Sequence, residues 1–122
     1  MRWRRSLLKS FANAGNGVAY TVRTQRNARI HLAATVVVVA LSLGFGITAL
    51  EWTAILLAIG LVWTAELLNT AIESVVDLVS PDEHELARIS KDVASGGVLI
   101  AAIVALAVGM IVFGPRLWGL IN

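Results

Sequence analysis

The 122-residue chain has no cysteine. A disulfide framework, a thiolate metal site and a cysteine-linked lipid anchor are therefore excluded, and the redox compartment is left undetermined. Both familiar glycine-rich phosphate cradles are also missing. Neither Gly-x-x-x-x-Gly-Lys-Ser/Thr nor Gly-x-Gly-x-x-Gly occurs, so any phosphate must be held in another way. Histidine is scarce: His31 and His84 stand far apart without metal-site spacing, which favours hydrogen-bonding or interfacial roles over ligation. Charged residues make up only 15% of the chain.

What fills the chain instead is apolar. Hydrophobic residues account for 57% and mean hydropathy is +0.78, beyond the roughly 45–50% apolar share of soluble domains, so a membrane is the expected solvent. The net charge of +2 and pI of 9.7 do not point to nucleic acid, because seven of the ten Lys and Arg lie before position 30. That basic segment does not read as a secretory signal. Arg2, Arg4 and Arg5 are followed by only Ser6, Leu7 and Leu8 before Lys9, whereas an apolar signal core needs about 7–15 residues.

Trp3, Leu7, Phe11, Val18 and Val22, with Ala14 between, recur every three or four positions, as on one face of a helix lying in the bilayer interface. Gly15-Asn16-Gly17 is its expected weak point. Leu32 to Leu50 is an uncharged run long enough for a first span, and Glu51-Trp52 reads as a short turn. A second span begins at Trp52, is apolar to Ala65 and continues through Glu66, Asn69, Glu73 and Asp77. The third is Val93 to Phe113, closed by Gly114-Pro115, with Trp118 as an interfacial residue. Ser80-Pro81-Asp82-Glu83 has the elements of a capping box and predicts a helix starting at Pro81. The expectation is one all-α membrane domain over 1–122, with a surface helix at 3–28 and helices at 30–50, 52–79 and 81–113. Basic residues concentrate before span one and between spans two and three, which places the N-terminus and the 78–92 loop on the cytoplasmic side.

At about 100° per residue, Glu66, Asn69, Glu73 and Asp77 share one narrow helix face, with Glu66 about 16 Å from Asp77 and inside the membrane. An ionised carboxylate at a span centre costs roughly 2.5–3.5 kcal/mol on insertion scales, so intramembrane acids are functional candidates by default. The bland alternative is that they lock helices together through arginines or shared protons. Asp77 is the one most easily explained as solvated. On the next helix His84, Arg88, Lys91 and Ser95 share a face with Asp92 at its edge, while Asp82, Glu83 and Glu85 suit the helix dipole regardless of function. Lys91-Asp92 fits an anion contact or simple snorkelling. Three short spans cannot hide a polar face within one chain, so a symmetric homo-oligomer is expected. A small transporter or ion-conducting oligomer using Glu66, and a catalytically inactive assembly subunit, are the readings that compete with an enzyme.

The stretch Ala65-Glu66-Leu67-Leu68-Asn69-Thr70-Ala71-Ile72-Glu73-Ser74-Val75-Val76-Asp77, joined to Ser80-Pro81, His84-Glu85-Leu86-Ala87 and Lys91-Asp92, resembles the small bacterial lipid kinases that include prokaryotic diacylglycerol kinase and undecaprenol kinase. Arg26-Asn27-Ala28-Arg29-Ile30-His31 fits as well. The resemblance implies a homotrimer in the bacterial inner membrane, Mg²⁺ with ATP as phosphoryl donor, and a lipid alcohol as acceptor. By resemblance Glu66 is the general base, Asn69 its positioning neighbour and Glu73 a metal-binding carboxylate. Lys91, Asp92 and His84 fall on the nucleotide side, where Glu73 would also contribute. One departure is Gln25, which stands where a second metal-binding glutamate is expected. The Ser80-Pro81 turn and the Arg-Asn-x-Arg-Ile-His stretch lean toward undecaprenol over diacylglycerol.

Overall fold

The computed structural model describes the backbone of residues 2–122 and the side chains of residues 6–122. The side chains of Arg2, Trp3, Arg4 and Arg5, invoked above for the surface helix, lie outside the described residues. Four helices follow one another, α1 (Arg2–Thr24), α2 (Arg26–Phe45), α3 (Ala49–Val79) and α4 (Glu85–Ile121), and no strand occurs among the described residues. The last three are long and apolar enough to cross a membrane. The protein is an all-α membrane protein with an amphipathic N-terminal helix.

Helix α1 runs unbroken through Gly15-Asn16-Gly17. Small residues there meet α3: Ala14, Gly17 and Thr21 face Leu67, Thr70, Ala71 and Ser74 across a shallow cleft, and Thr21 is buried with its hydroxyl donating to the Gly17 carbonyl. Helix–helix contact compensates the intrinsic weakness of glycine. Leu7, Leu8, Phe11 and Val18 remain exposed, as residues do when lipid is their solvent.

The sequence places the end of this helix at 28; the chain instead leaves helical geometry at Gln25, with φ −109° and ψ 117°. Arg29 explains the stop. Its guanidinium donates to the carbonyls of Val22 at 3.2 Å and Arg23 at 2.9 Å, satisfying acceptors that the ended helix leaves orphaned. Helix α2 closes at Gly46, whose φ of 61° lies in the left-handed region that glycine adopts without penalty.

Two further boundaries differ from expectation. Glu51 is not in a turn; it is the N3 residue of a capping box in which the Thr48 hydroxyl accepts from the Glu51 amide and the Glu51 carboxylate accepts from the Thr48 amide. The anticipated box at Ser80-Pro81-Asp82-Glu83 does not form. Ser80 terminates α3, its hydroxyl donates to the Asp82 carbonyl, and α4 begins four residues after Pro81, at Glu85, with the His84 ring nitrogen Nδ1 accepting from the Leu86 amide at 3.1 Å. Proline disfavours helical geometry in the residue before it, which ends α3 at this point.

At its other end α4 continues past Pro115 to Ile121 instead of stopping at Gly114-Pro115. Proline deprives the preceding turn of one amide donor. The Arg116 side chain braces this turn: it donates to the Val112 carbonyl at 2.7 Å and pairs in a two-pronged fashion with Glu51 at 2.6 and 2.7 Å. The core nearby is Ile47, Ile55, Val112 and Phe113, with Phe45 tilted against Phe113 at a ring separation of 6.2 Å.

Helices α3 and α4 thus form an antiparallel hairpin clamped at both ends, by Glu51–Arg116 and by Asp77–Lys91. About 39 Å of α3 separates Glu51 from Asp77, and about 38 Å of α4 separates Lys91 from Arg116, so the two helices run in register. Both separations exceed the roughly 30 Å hydrocarbon core, which leaves room for both pairs outside it. Removing the guanidinium in Arg116→Met leaves Glu51 without an arginine partner among the described residues and removes the bond to the Val112 carbonyl. The thermal midpoint in detergent is expected to fall by a few degrees, with Arg116→Lys recovering only part of it because lysine lacks the planar fork. Equal midpoints for all three proteins would refute the clamp.

Candidate active site

The buried residues of α3 are Ile55, Ala58, Val62, Glu66, Asn69 and Thr70, spaced as one helix face. The polar face is therefore not a separate stripe. It continues the apolar stripe that packs into the hairpin, with polar side chains substituted on the half of the helix nearer the 80–84 loop. With Glu51 at one hydrocarbon boundary, the other falls about 20 residues along α3, near Ala71. Glu66 then sits about 8 Å inside the apolar layer, with Glu73 just beyond it and Asp77 at headgroup level.

Glu66 is 1% exposed, and among the described residues neither of its carboxylate oxygens has a hydrogen-bond partner. Its nearest basic neighbour is the His31 imidazole on α2, with Nε2 3.7 Å from Oε2. One helical turn on, the Asn69 amide donates to Glu73 at 3.3 Å while its own carbonyl oxygen is unpartnered. The Glu66 backbone carbonyl accepts from the Thr70 hydroxyl, so this turn is fixed although the carboxylate is not. Asn27, His31, Asn69 and Ser95 border a cleft of about 270 Å³ whose remaining walls are Ile30, Val98, Leu99 and Ala102. An unsatisfied buried polar group costs about 1–3 kcal/mol, more when charged. The fold therefore buries a costly carboxylate next to His31 and one turn from Asn69, both of which border this cleft.

A second group lies beyond the membrane boundary. A cavity of about 590 Å³ is lined by residues 77–92, among them His84, Lys91 and Asp92. Its cations are already engaged: Lys91 pairs with Asp77, and Arg88 pairs with Asp92 at 3.0 Å and with Glu85 at 4.0 Å. The Asp77 carboxylate holds the Lys91 ammonium above its ordinary pKa, so lysine is a fixed cation here. Five carboxylates against two cations make this lining acidic, and an anion enters it only with its own countercharge.

The residues singled out in the sequence thus fall into two groups joined along α3. Glu66, Asn69 and Glu73 come together, as do Lys91, Asp92 and His84 around the 80–84 loop. Gln25 stands half-buried at the break between α1 and α2. Among the described residues no three His, Asp or Glu side chains converge as a ready-made metal site. Sequence reasoning missed His31 as the neighbour of Glu66, because residues 35 positions apart on different helices share no periodic signal. The Trp63 indole donating to Thr35 at 3.0 Å, which ties α2 to α3 next to this site, was equally silent. The Thr48–Glu51 cap, by contrast, carries a readable Thr-x-x-Glu signature.

A buried acid inside the apolar layer and an acidic headgroup-level cavity thus lie on the same α3–α4 hairpin of a three-span membrane fold. The prokaryotic diacylglycerol kinase family model matches residues 12–113. An undecaprenol kinase of Bacillus subtilis is 41% identical over 109 residues, covering 89% of each chain. A diacylglycerol kinase of Synechocystis is 47% identical over 116 residues, covering 94% of this chain and 66% of that one, and the diacylglycerol kinase of Escherichia coli is 38% identical over 72 residues, covering 59% of each. The chain belongs to the prokaryotic diacylglycerol kinase family and is a lipid kinase. Membership decides for an enzyme over the small transporter.

A buried carboxylate without a hydrogen bond among the described residues destabilises the fold that holds it. Glu66→Met, close in size and uncharged, is expected to raise the thermal midpoint by several degrees. A lowered midpoint would show that Glu66 locks helices together.

Proposed function

We propose that this chain transfers the γ-phosphoryl group of Mg-ATP to the hydroxyl of a membrane lipid alcohol at the cytoplasmic leaflet of the bacterial inner membrane, with undecaprenol preferred over diacylglycerol. The observation that carries this reading is the position of Glu66: buried just inside the apolar layer, without a hydrogen-bond partner among the described residues, and 3.7 Å from His31, whose ring borders a partly polar cleft. A lipid alcohol places its hydroxyl at that depth. Glu66 takes the hydroxyl proton as the oxygen attacks phosphorus, and Asn69, whose carbonyl oxygen has no partner, orients the hydroxyl beside it.

Glu73 lies one turn closer to the nucleotide. One of its oxygens accepts from Asn69, and its half-exposed carboxylate suits a Mg²⁺ held mainly by phosphates, which this ion favours over an all-protein cage. Glu73 would hold such a Mg²⁺, whose chemistry would be to neutralise charge on the phosphates during transfer. Lys91 exchanges Asp77 for a phosphate oxygen, and His84 and Asp92 contact the nucleotide in the headgroup-level cavity. Its acidic lining explains why the triphosphate must arrive with a divalent cation.

Gln25 offers a carbonyl oxygen and no charge, so this chain relies on Glu73 and the phosphates for its metal. A homotrimer is the assembly this reading adopts: the open cleft beside Glu66 suits completion by a second copy. The N-terminus faces the cytoplasm, in keeping with the basic residues before span one. The lean toward undecaprenol rests on Ser80-Pro81 and on Arg26 to His31.

Two measurements test this. Detergent-purified protein given γ-labelled Mg-ATP is expected to label undecaprenol faster than diacylglycerol presented in parallel; the reverse order overturns the substrate preference, and label in neither overturns the kinase reading. Gln25→Glu is expected to lower the Mg²⁺ concentration for half-maximal activity several-fold, and an unchanged requirement would remove Gln25 from the metal site.

A further inference from the structure

We propose that His31 is a positioning residue for Glu66, fixing the carboxylate that receives the acceptor's proton; this rests on the kinase reading above. The argument begins with what surrounds Glu66. Both its oxygens lack hydrogen-bond donors, it is 1% exposed, and the apolar neighbours on its own face, Val62 and Ala58, offer nothing polar. A carboxylate so placed has no hydrogen bond to set its orientation, and its charged neighbour on α3 is another acid, Glu73. From α2 comes one group of the right kind. His31 Nε2 stands 3.7 Å from Glu66 Oε2, too long for a hydrogen bond and about one side-chain adjustment from making it.

The position of His31 is itself fixed. Thr35 donates its hydroxyl to the His31 carbonyl at 2.7 Å and receives the Trp63 indole at 3.0 Å, so the α2 turn carrying the imidazole is tied to α3 one turn from Glu66. The ring lies where two cavities meet. One is the polar cleft with Asn27, Asn69 and Ser95; the other is an apolar groove of about 430 Å³ running along α2, α3 and α4 as far as Leu117. A group at that junction sees both the reacting hydroxyl and the apolar layer.

The chemistry balances with the groups named. His31 donates its Nε2 proton as a hydrogen bond to Oε2, leaving Oε1 turned to the cleft. The acceptor hydroxyl gives its proton to Oε1 as its oxygen forms the bond to the γ-phosphorus, the bond from that phosphorus to the bridging oxygen breaks, and ADP leaves with the electron pair. His31 neither gains nor loses a proton. It holds the accepting oxygen in place, in the manner of a base and the group that orients it.

The test compares His31→Gln, whose amide donates from nearly the position of Nε2, with His31→Leu, which fills similar space and donates nothing. His31→Leu is expected to lower kcat by about tenfold or more with the KM for ATP within about twofold of wild type, and His31→Gln to recover most of that loss. Full activity in His31→Leu, or a loss confined to the KM for ATP, or a His31→Gln as slow as His31→Leu, would overturn the proposal. So would loss of the folded particle on gel filtration in both variants, which assigns His31 to packing. The failure of the underlying reading is distinguishable: an active Glu66→Gln removes the general base itself, whereas an inactive Glu66→Gln beside a fully active His31→Leu removes only the positioning role.

Discussion

A carboxylate without hydrogen bonds inside an apolar layer is the constraint on which the arrangement of this protein depends. Water cannot reach Glu66, lipid cannot solvate it, and no side chain bonds to it. Such a group destabilises any fold unless the surrounding helices are held by other means. The α3–α4 hairpin supplies those means. The Glu51–Arg116 ion pair at one end, a capping box at Thr48 and an apolar core around Ile55 and Phe113 keep the helices in register with no contribution from the acid. Stability and chemistry are thus located at different heights of the same hairpin.

The division also explains the charge distribution. Where the chain needs permanence it uses a bidentate arginine–carboxylate pair, Arg116 with Glu51, whose planar geometry leaves few donors idle. Around the 80–84 loop, by contrast, single-point and exposed pairs dominate, Lys91 with Asp77 and Arg88 with Asp92. Pairs of that kind are worth little individually and exchange readily.

Much of this was legible in the residues. The three spans, the single polar face of α3 and the depth of Glu66 follow from hydropathy and from a period of 3.6 residues, both local properties. The family motif from Ala65 to Asp77, with Lys91-Asp92 beyond it, carried the class of chemistry. What the sequence hid is of two kinds. Helix ends escape local patterns where a distant or unexpected side chain does the capping: Arg29 reaching back to Val22 and Arg23, and His84 replacing Ser80. Contacts between helices were invisible because no periodicity relates His31 to Glu66 or Thr35 to Trp63. A lone histidine near the start of a span gives no sign of which acid it will meet.

The central claim is that Glu66 exists to accept a proton from the lipid alcohol and for nothing else. The most direct measurement is a single-turnover experiment on Glu66→Gln, with Mg-ATP binding and lipid labelling followed in the same preparation. The account predicts nucleotide bound with the affinity of the unaltered protein and no labelled lipid over many wild-type turnover times. Labelled lipid formed at the wild-type rate, or loss of nucleotide binding along with loss of transfer, would contradict it.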